Sequence, residues 1–281
     1  MPSSVIAFSP GHISGYFCRV AKERIDQTGS IGAGIVLGLG VVATVAEADE
    51  IDVIISAGGV QVSGSPPVMA ALKKLNVTAS VKTASNLPLG SGFGLSAASL
   101  LAVLVAADEL FSLSMGIETI AAIAHEIEVI YGNGLGDVAA ECEGGLACRT
   151  APGIAGVTSR IHGIRDPITI VTTGPLSTRE VLTTAETMDR VQASYPGRCP
   201  KDLDDFIHLS RAFAESSGLI THEVRSILSA CDDAGIAASM TMLGAGVFSA
   251  DEGAEAVLSR FGTVYSTTIA DAGPKILDVV P

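Results

Sequence analysis

Asn86-Leu-Pro-Leu-Gly-Ser-Gly-Phe-Gly-Leu-Ser-Ala-Ala98 decides the reading of this chain, because three alternate glycines, Gly90, Gly92 and Gly94, lead directly into a strongly helical run. A residue without Cβ reaches backbone conformations closed to others, so successive amides can turn inward as an anion-binding concavity. The helix that follows adds unpaired N–H groups and a partial positive charge at its start. The segment therefore predicts a phosphate cradle. It carries no Walker lysine and is not a P-loop. A dinucleotide site would place its glycines in the first strand–helix unit and an acidic residue about 20 positions on. Here four strand signals precede the glycines, and Asp108 and Glu109 only close the following helix.

Working outward, short β-rich runs at Ser4 to Phe8, Gly34 to Ala46, Ile51 to Ser56 and Asn76 to Lys82 are bounded by Gly, Pro, Asn or Asp. Between them the pattern predicts a glycine-rich loop, Thr28 to Gly34, and a short helix, Val68 to Leu75, introduced by Pro66-Pro67. Apolar spacings of three and four predict helices at Ser96 to Leu110 and Ile117 to Tyr131, then a shorter one around Asp137 to Glu143 and a strand at Leu146 to Thr150. The Gly/Ala/Pro-rich stretch Ala151 to Gly156 precedes a strand at Ile168 to Thr172, which places a domain boundary near residue 163 and divides the chain into residues 1–162 and 163–281. The second half reads as helices Thr178 to Ala193, Leu203 to Ser217, Glu223 to Ala234 and Glu252 to Phe261 with strands Ala237 to Leu243 and Thr263 to Thr268, an α+β layer.

Composition narrows the function classes. The 281 residues are 48% hydrophobic but only 17% charged, without Trp, so the core is expected to be built from small aliphatic side chains and glycine. Thirty acidic residues against 17 basic give a net charge of −13, which argues against a nucleic-acid partner and leaves any phosphate to backbone amides and a metal ion. The apolar window Phe93 to Ala107 is too short for a bilayer and is broken by Gly94, Ser96 and Ser99, so no membrane partner is expected. The amino terminus lacks an export pattern, and the cytoplasm is the expected location. The five cysteines show no CxxC spacing and are read as reduced thiols; the five histidines form no metal-ligand motif.

Downstream of the cradle, Ala124-His-Glu-Ile-Glu-Val-Ile-Tyr-Gly-Asn-Gly-Leu-Gly-Asp137 puts carboxylates on a helix and then on a glycine-rich turn. Phosphoryl transfer needs one carboxylate to hold Mg²⁺ and another to take the proton of the attacking hydroxyl. Glu126 and Glu128 compete for the metal; Glu128 shares a face with His125, whereas Glu126 lies about 160° away by helical phase. Asp137 also reads as a helix cap after Gly136.

Pro88-Leu-Gly-Ser-Gly-Phe-Gly-Leu-Ser-Ala-Ala98 resembles the second motif of the GHMP kinases, P-x-G-x-G-L-G-S-S-A, with Leu95 where the family carries its first serine. The resemblance implies that Pro88, Gly90, Ser91, Gly92 and Gly94 wrap the phosphates of ATP and that Ser96 reaches Mg²⁺ or a phosphate oxygen. Gly132-Asn-Gly-Leu-Gly-Asp137 is similar to the family's G-N-x-x-G-x-D, one residue shorter, which implies Asp137 as catalytic base with Ser96 and Glu128 on the metal. Met240-Thr-Met-Leu-Gly-Ala-Gly-Val-Phe248 resembles the third motif and brings Gly244 and Gly246 to the nucleotide side. Ala7-Phe-Ser-Pro-Gly-His-Ile-Ser-Gly-Tyr-Phe17, with His12 where most members have lysine, and Thr28-Gly-Ser-Ile-Gly-Ala-Gly-Ile-Val-Leu37 resemble the pantoate kinases more narrowly.

The resemblance implies a two-domain GHMP fold: a β-rich N-terminal domain with a left-handed βαβ crossover, and a ferredoxin-like α+β C-terminal domain. It implies phosphorylation of the 4-hydroxyl of pantoate, on the route to coenzyme A, by a homodimer. A small dihydroxy acid needs a cation for its carboxylate and donors for its hydroxyls. Arg149, Ser30, His125 and Thr178 are the candidates, although Arg149 also reads as an exposed strand arginine and Thr178 as a helix N-cap. A homoserine or mevalonate kinase, or a non-catalytic metabolite sensor on the same fold, remain the alternatives.

Overall fold

The computed structural model describes residues 2–175 and 184–281. Eight strands form a mixed sheet: β1 (Ser4–Val20), β2 (Gly29–Glu47), β3 (Asp52–Ala57), β4 (Val60–Ser63), β5 (Ala79–Ser85), β6 (Leu146–Arg149), β7 (Val157–Ile161) and, from the far end of the chain, β12 (Lys275–Val280). Six run in the order β12-β1-β2-β5-β3-β4, and β6 pairs with the first part of β2 and with β7. Only β3 and β5 pair in parallel, and between them the chain forms β4 and then crosses over through helix α1 (Pro66–Leu75). A second, antiparallel sheet has the order β11-β8-β10-β9, from β8 (Ile168–Thr172), β9 (Ala238–Met240), β10 (Gly246–Ser249) and β11 (Val264–Thr267). Numbered within that sheet the order is 4-1-3-2, the ferredoxin-like arrangement of an α+β layer.

The segment Thr28 to Gly34, expected as a loop, is instead strand from Gly29 onward, the start of β2. Its glycines hid the strand pattern because they carry no side chain to alternate, yet they are there for close approach: a Cβ on Gly34 would strike the imidazole of His12 on the neighbouring strand. Likewise β1 continues beyond Phe8 to Val20, absorbing Pro10 at a register shift between Pro10 and His12. The strand expected over Ala237 to Leu243 ends at Met240, and Gly246–Ser249 forms a strand of its own.

Helix α2 (Leu95–Leu110) packs against β1 and β2 on one side and against α1, α3 (Gly116–Tyr131) and α4 (Asp137–Glu141) on the other. Twelve of its sixteen residues are buried, which is why its sequence is apolar all round rather than striped. The second half contributes α5 (Ala185–Ser194), α6 (Leu203–Ser217), α7 (His222–Asp233) and α8 (Ala254–Leu258). Helix α5 is capped by Thr184, whose hydroxyl accepts the Thr187 N–H at 3.1 Å; Thr178, expected near a helix start, lies outside the described residues.

The expectation of reduced thiols fails at one pair. Cys148 on β6 and Cys199, before α6, form a disulfide, while Cys18, Cys142 and Cys231 are free. Fifty-one positions separate the pair, so sequence spacing carried no sign of it. Among the described residues no helix is long and apolar enough to cross a membrane.

Candidate active site

The glycine-rich segment enters α2 through Gly90, Gly92 and Gly94, all with positive φ (71°, 80° and 65°). A side chain at Gly94 would collide with the carboxyl of Glu141 and crowd His12, and one at Gly92 would press on the Met242 carbonyl at 3.0 Å. The loop is thus seated on the third motif: Gly244 lies against the Ser91–Gly92 backbone, and Gly246 opens β10 opposite Thr172. Gly90, Gly92, Gly94 and Ser96 line a cleft of about 750 Å³. Pro88 packs against Gly58, and the buried Ser91 turns its hydroxyl to the Gly174 carbonyl at 3.4 Å, so these two shape the loop from behind.

Ser96 stands in the first turn of α2 and donates to Glu128 Oε1 at 2.6 Å. Asn133, just past the Gly132 cap of α3, donates to both the Ser96 hydroxyl (3.1 Å) and Glu128 Oε1 (3.2 Å). Glu128 is fully buried and its Oε2 has no partner. Burial, with Asp137 nearby, pushes its carboxyl up to about 7 against the opposing hydrogen bonds from Ser96 and Asn133. Two adjacent oxygen donors, the Ser96 hydroxyl and the Glu128 carboxyl with its orphaned Oε2, suit a hard cation such as Mg²⁺. Glu126 is elsewhere, on the surface, paired with Lys74 at 2.8 Å.

Asp137 opens α4 and lines the same cleft. Its Oδ1 lies 2.7 Å from His12 Nδ1. Burial pushes the Asp137 carboxyl up, but the His12 hydrogen bond and the charge of Arg149 outweigh it and hold the group below its ordinary range. Burial keeps the His12 ring neutral. The pair is therefore an Nδ1–H donating to a carboxylate, with Nε2 buried and unpartnered. His12 was visible in the sequence only as a missing lysine; its contact with Asp137 was not.

Arg149, at the end of β6, is 1% exposed and none of its three guanidinium nitrogens has a partner. Its head group lies under the base turn: a Cβ on Gly136 would come within 2.6 Å of Arg149 Nε and 2.5 Å of Ser30 Oγ. Ser30, Arg149 and Asp137 are thus brought together. His125 is not, because its Nε2 bonds the Thr28 carbonyl at 2.9 Å and its ring faces a separate hollow beside Arg24, Asp26 and Ala155.

Two residues at this site escaped the sequence reading. Glu141, one turn after Asp137 on α4, is fully buried with both carboxyl oxygens unpartnered; burial, aided by Asp137 and Glu128, holds it well above the usual carboxylate range and so neutral. Arg160 on β7 donates to the carbonyls of Ala139 (2.6 Å), Ala140 (2.8 Å) and Gly144 (2.5 Å), closing the C-terminal end of the short helix that carries the base.

The pattern that defines the GHMP kinases N terminal domain matches residues 67–145, from α1 to the glycine pair after α4. A pantoate kinase of Methanospirillum hungatei JF-1 is 43% identical over 97% of this chain and 96% of its own. The chain belongs to the pantoate kinase family of GHMP kinases. A second pantoate kinase, of Methanocaldococcus jannaschii, is 33% identical over 86% of this chain and 90% of its own. Among solved structures, one described as a phosphotransferase related to the CoA biosynthesis pathway superposes with a TM-score of 0.82 and 25% identity, covering 98% of both chains.

Proposed function

We propose that this protein is an ATP-dependent kinase that phosphorylates the 4-hydroxyl of pantoate, on the route to coenzyme A. The observation that carries the reading is a pair of acidic sites beside one cleft: Ser96–Glu128 at the cradle, and Asp137 held by His12.

In this reading the amides of the Gly90–Ser96 segment hold the ATP phosphates, and the apolar end of the cleft, at Ile55, Val62, Pro67 and Leu89, takes the adenine. Ser96 and Glu128 would hold Mg²⁺, which when bound neutralises charge on the phosphates. Asp137 is anionic and takes the proton of the attacking hydroxyl as its oxygen bonds in line to the terminal phosphorus of ATP and the bond from that phosphorus to the bridging oxygen breaks, releasing ADP. His12, by donating to Oδ1, fixes the carboxylate so that Oδ2 is the accepting atom. The buried guanidinium of Arg149, with Ser30 beside it, is the partner of the substrate carboxylate: a sealed cation without a counter-ion is costly unless a ligand completes it. Thr178 is proposed to reach the same substrate. His125 supports this pocket only through the Thr28 carbonyl, just before β2.

We further propose that residues 1–162 and 163–281 act as the two lobes of the enzyme, with β12 returning to the first, and that the protein works as a cytoplasmic homodimer. The acceptor is tested by ATP consumption in Mg²⁺ against pantoate, pantothenate, homoserine, mevalonate and galactose. Turnover confined to pantoate is the expected outcome; turnover with homoserine or mevalonate in its place would overturn the acceptor while leaving the cradle.

A further inference from the structure

One cation of the cleft has no task in this account. Arg19 on β1 lines the cleft and is exposed, and among the described residues it is the only basic side chain in that lining. No described carboxylate lies within ion-pair distance of it. In a chain of net charge −13, a free arginine in a cleft for anions calls for an explanation.

The strand register says which part of the cleft it serves. Arg19 pairs directly with Ser30, so both project from the same face of the sheet. Arg149 pairs with Gly32, two residues on, and alternation puts it on that face too. Ser30 is therefore flanked by two guanidinium-bearing strands, Arg149 of β6 on one side and Arg19 of β1 on the other. The first is sealed; the second opens to the cleft.

Direction along β1 completes the argument. His12 marks the position of the base, and from it β1 runs through Ser14 and Phe17, both lining the cleft, to Arg19. An acceptor whose reacting hydroxyl lies at Asp137, facing the Gly90–Ser96 cradle, extends its other end away from the phosphates, toward Ser30. In a hydroxy acid that end is the carboxylate. We propose that Arg19 is a specificity-determining residue, the cleft-side half of a carboxylate clamp whose inner half is Arg149, selecting hydroxy acids over uncharged alcohols. This inference rests on the reading of the acceptor as a hydroxy acid.

The test compares wild type, Arg19→Gln and Arg19→Lys with pantoate and with its primary amide, followed as substrate or as competitive inhibitor. Loss of a charge-assisted contact is expected to raise KM for pantoate in Arg19→Gln by roughly 10–100-fold. The expected companions are kcat and KM for ATP near wild type, an intermediate KM in Arg19→Lys, and little change for the amide. Because Arg19 is exposed, equal melting temperatures are expected and are measured alongside. Unchanged KM for pantoate in Arg19→Gln overturns the clamp while leaving the acceptor reading intact. A loss shared equally by acid and amide, or one that moves into kcat or KM for ATP, also overturns it, placing Arg19 on the phosphates. A wild type that uses no hydroxy acid overturns the acceptor reading and the clamp together.

Discussion

His12 Nδ1 lies 2.7 Å from Asp137 Oδ1, a contact between residues 125 positions apart that fixes the proposed base from beneath. The imidazole is fully buried and kept neutral by that burial, so it serves the carboxylate as a hydrogen-bond donor rather than as a cation. The histidine thus does not replace the missing lysine in kind. It orients the base and lowers its proton affinity.

Replacing His12 by Ala removes that donor and raises the pKa of Asp137. A base with a higher pKa stays protonated to higher pH, so the acid limb of the kcat/KM profile moves up. At neutral pH kcat is expected to fall about tenfold, a part of the roughly 10²–10⁴ that a positioned base contributes. A pH–rate profile of His12→Ala superposing on wild type would remove His12 from this role.

Glu128 sits at about 7 without metal, so near neutrality it competes with Mg²⁺ for its own proton. Below that pH the group is protonated and apparent Mg²⁺ affinity is expected to weaken, about tenfold per pH unit, and to level off above it. Titrations of Mg²⁺ activation between pH 6 and 8, markers chosen roughly one unit either side of that value, check this. Glu128→Gln should flatten the dependence and lower kcat.

Glu141 tests burial without a partner. Its folded-state pKa is raised, so the folded protein keeps a proton that the unfolded chain releases above the ordinary carboxylate range. Stability is therefore full below that range and declines as pH rises toward the folded pKa. Glu141→Gln keeps the shape and discards the titration. Its melting temperature should match wild type in acid and exceed it at mildly alkaline pH, with each kcal/mol worth roughly 2–4 °C.

Arg149 separates binding from stability. Its guanidinium is buried with all nitrogens unpaired, so a flexible apolar side chain of similar length, Arg149→Met, is expected to leave the melting temperature unchanged or higher. The same variant should raise KM for pantoate by roughly 100-fold, the cost of one charge-assisted contact at its upper range. A lower melting temperature with unchanged KM would make Arg149 a structural residue.

What the sequence made legible was local. The cradle, α2 and the carboxylates of α3 and α4 follow from glycine spacing and apolar periodicity within one continuous segment. Less visible were features set by partners distant in sequence. The start of β2 looked like a loop because its glycines exist to admit His12 and other neighbours, and β12 carries no sign that it returns to β1. Arg149 read equally as a carboxylate partner or as an exposed strand arginine, and only the pairing of β6 between β2 and β7 shows it buried. Arg160 and Glu141 act only through the far side of α4. Helical phase separates Glu126 from Glu128, and it is Glu128 that meets Ser96 while Glu126 pairs with Lys74.

The most direct measurement is pantoate-dependent ADP formation by wild type and Asp137→Asn, with ATP binding measured on both. Proton removal by Asp137 requires that the variant bind ATP like wild type but lose turnover by at least about 10²-fold. Undiminished pantoate phosphorylation by Asp137→Asn, or none by a wild type that binds ATP, would contradict the account.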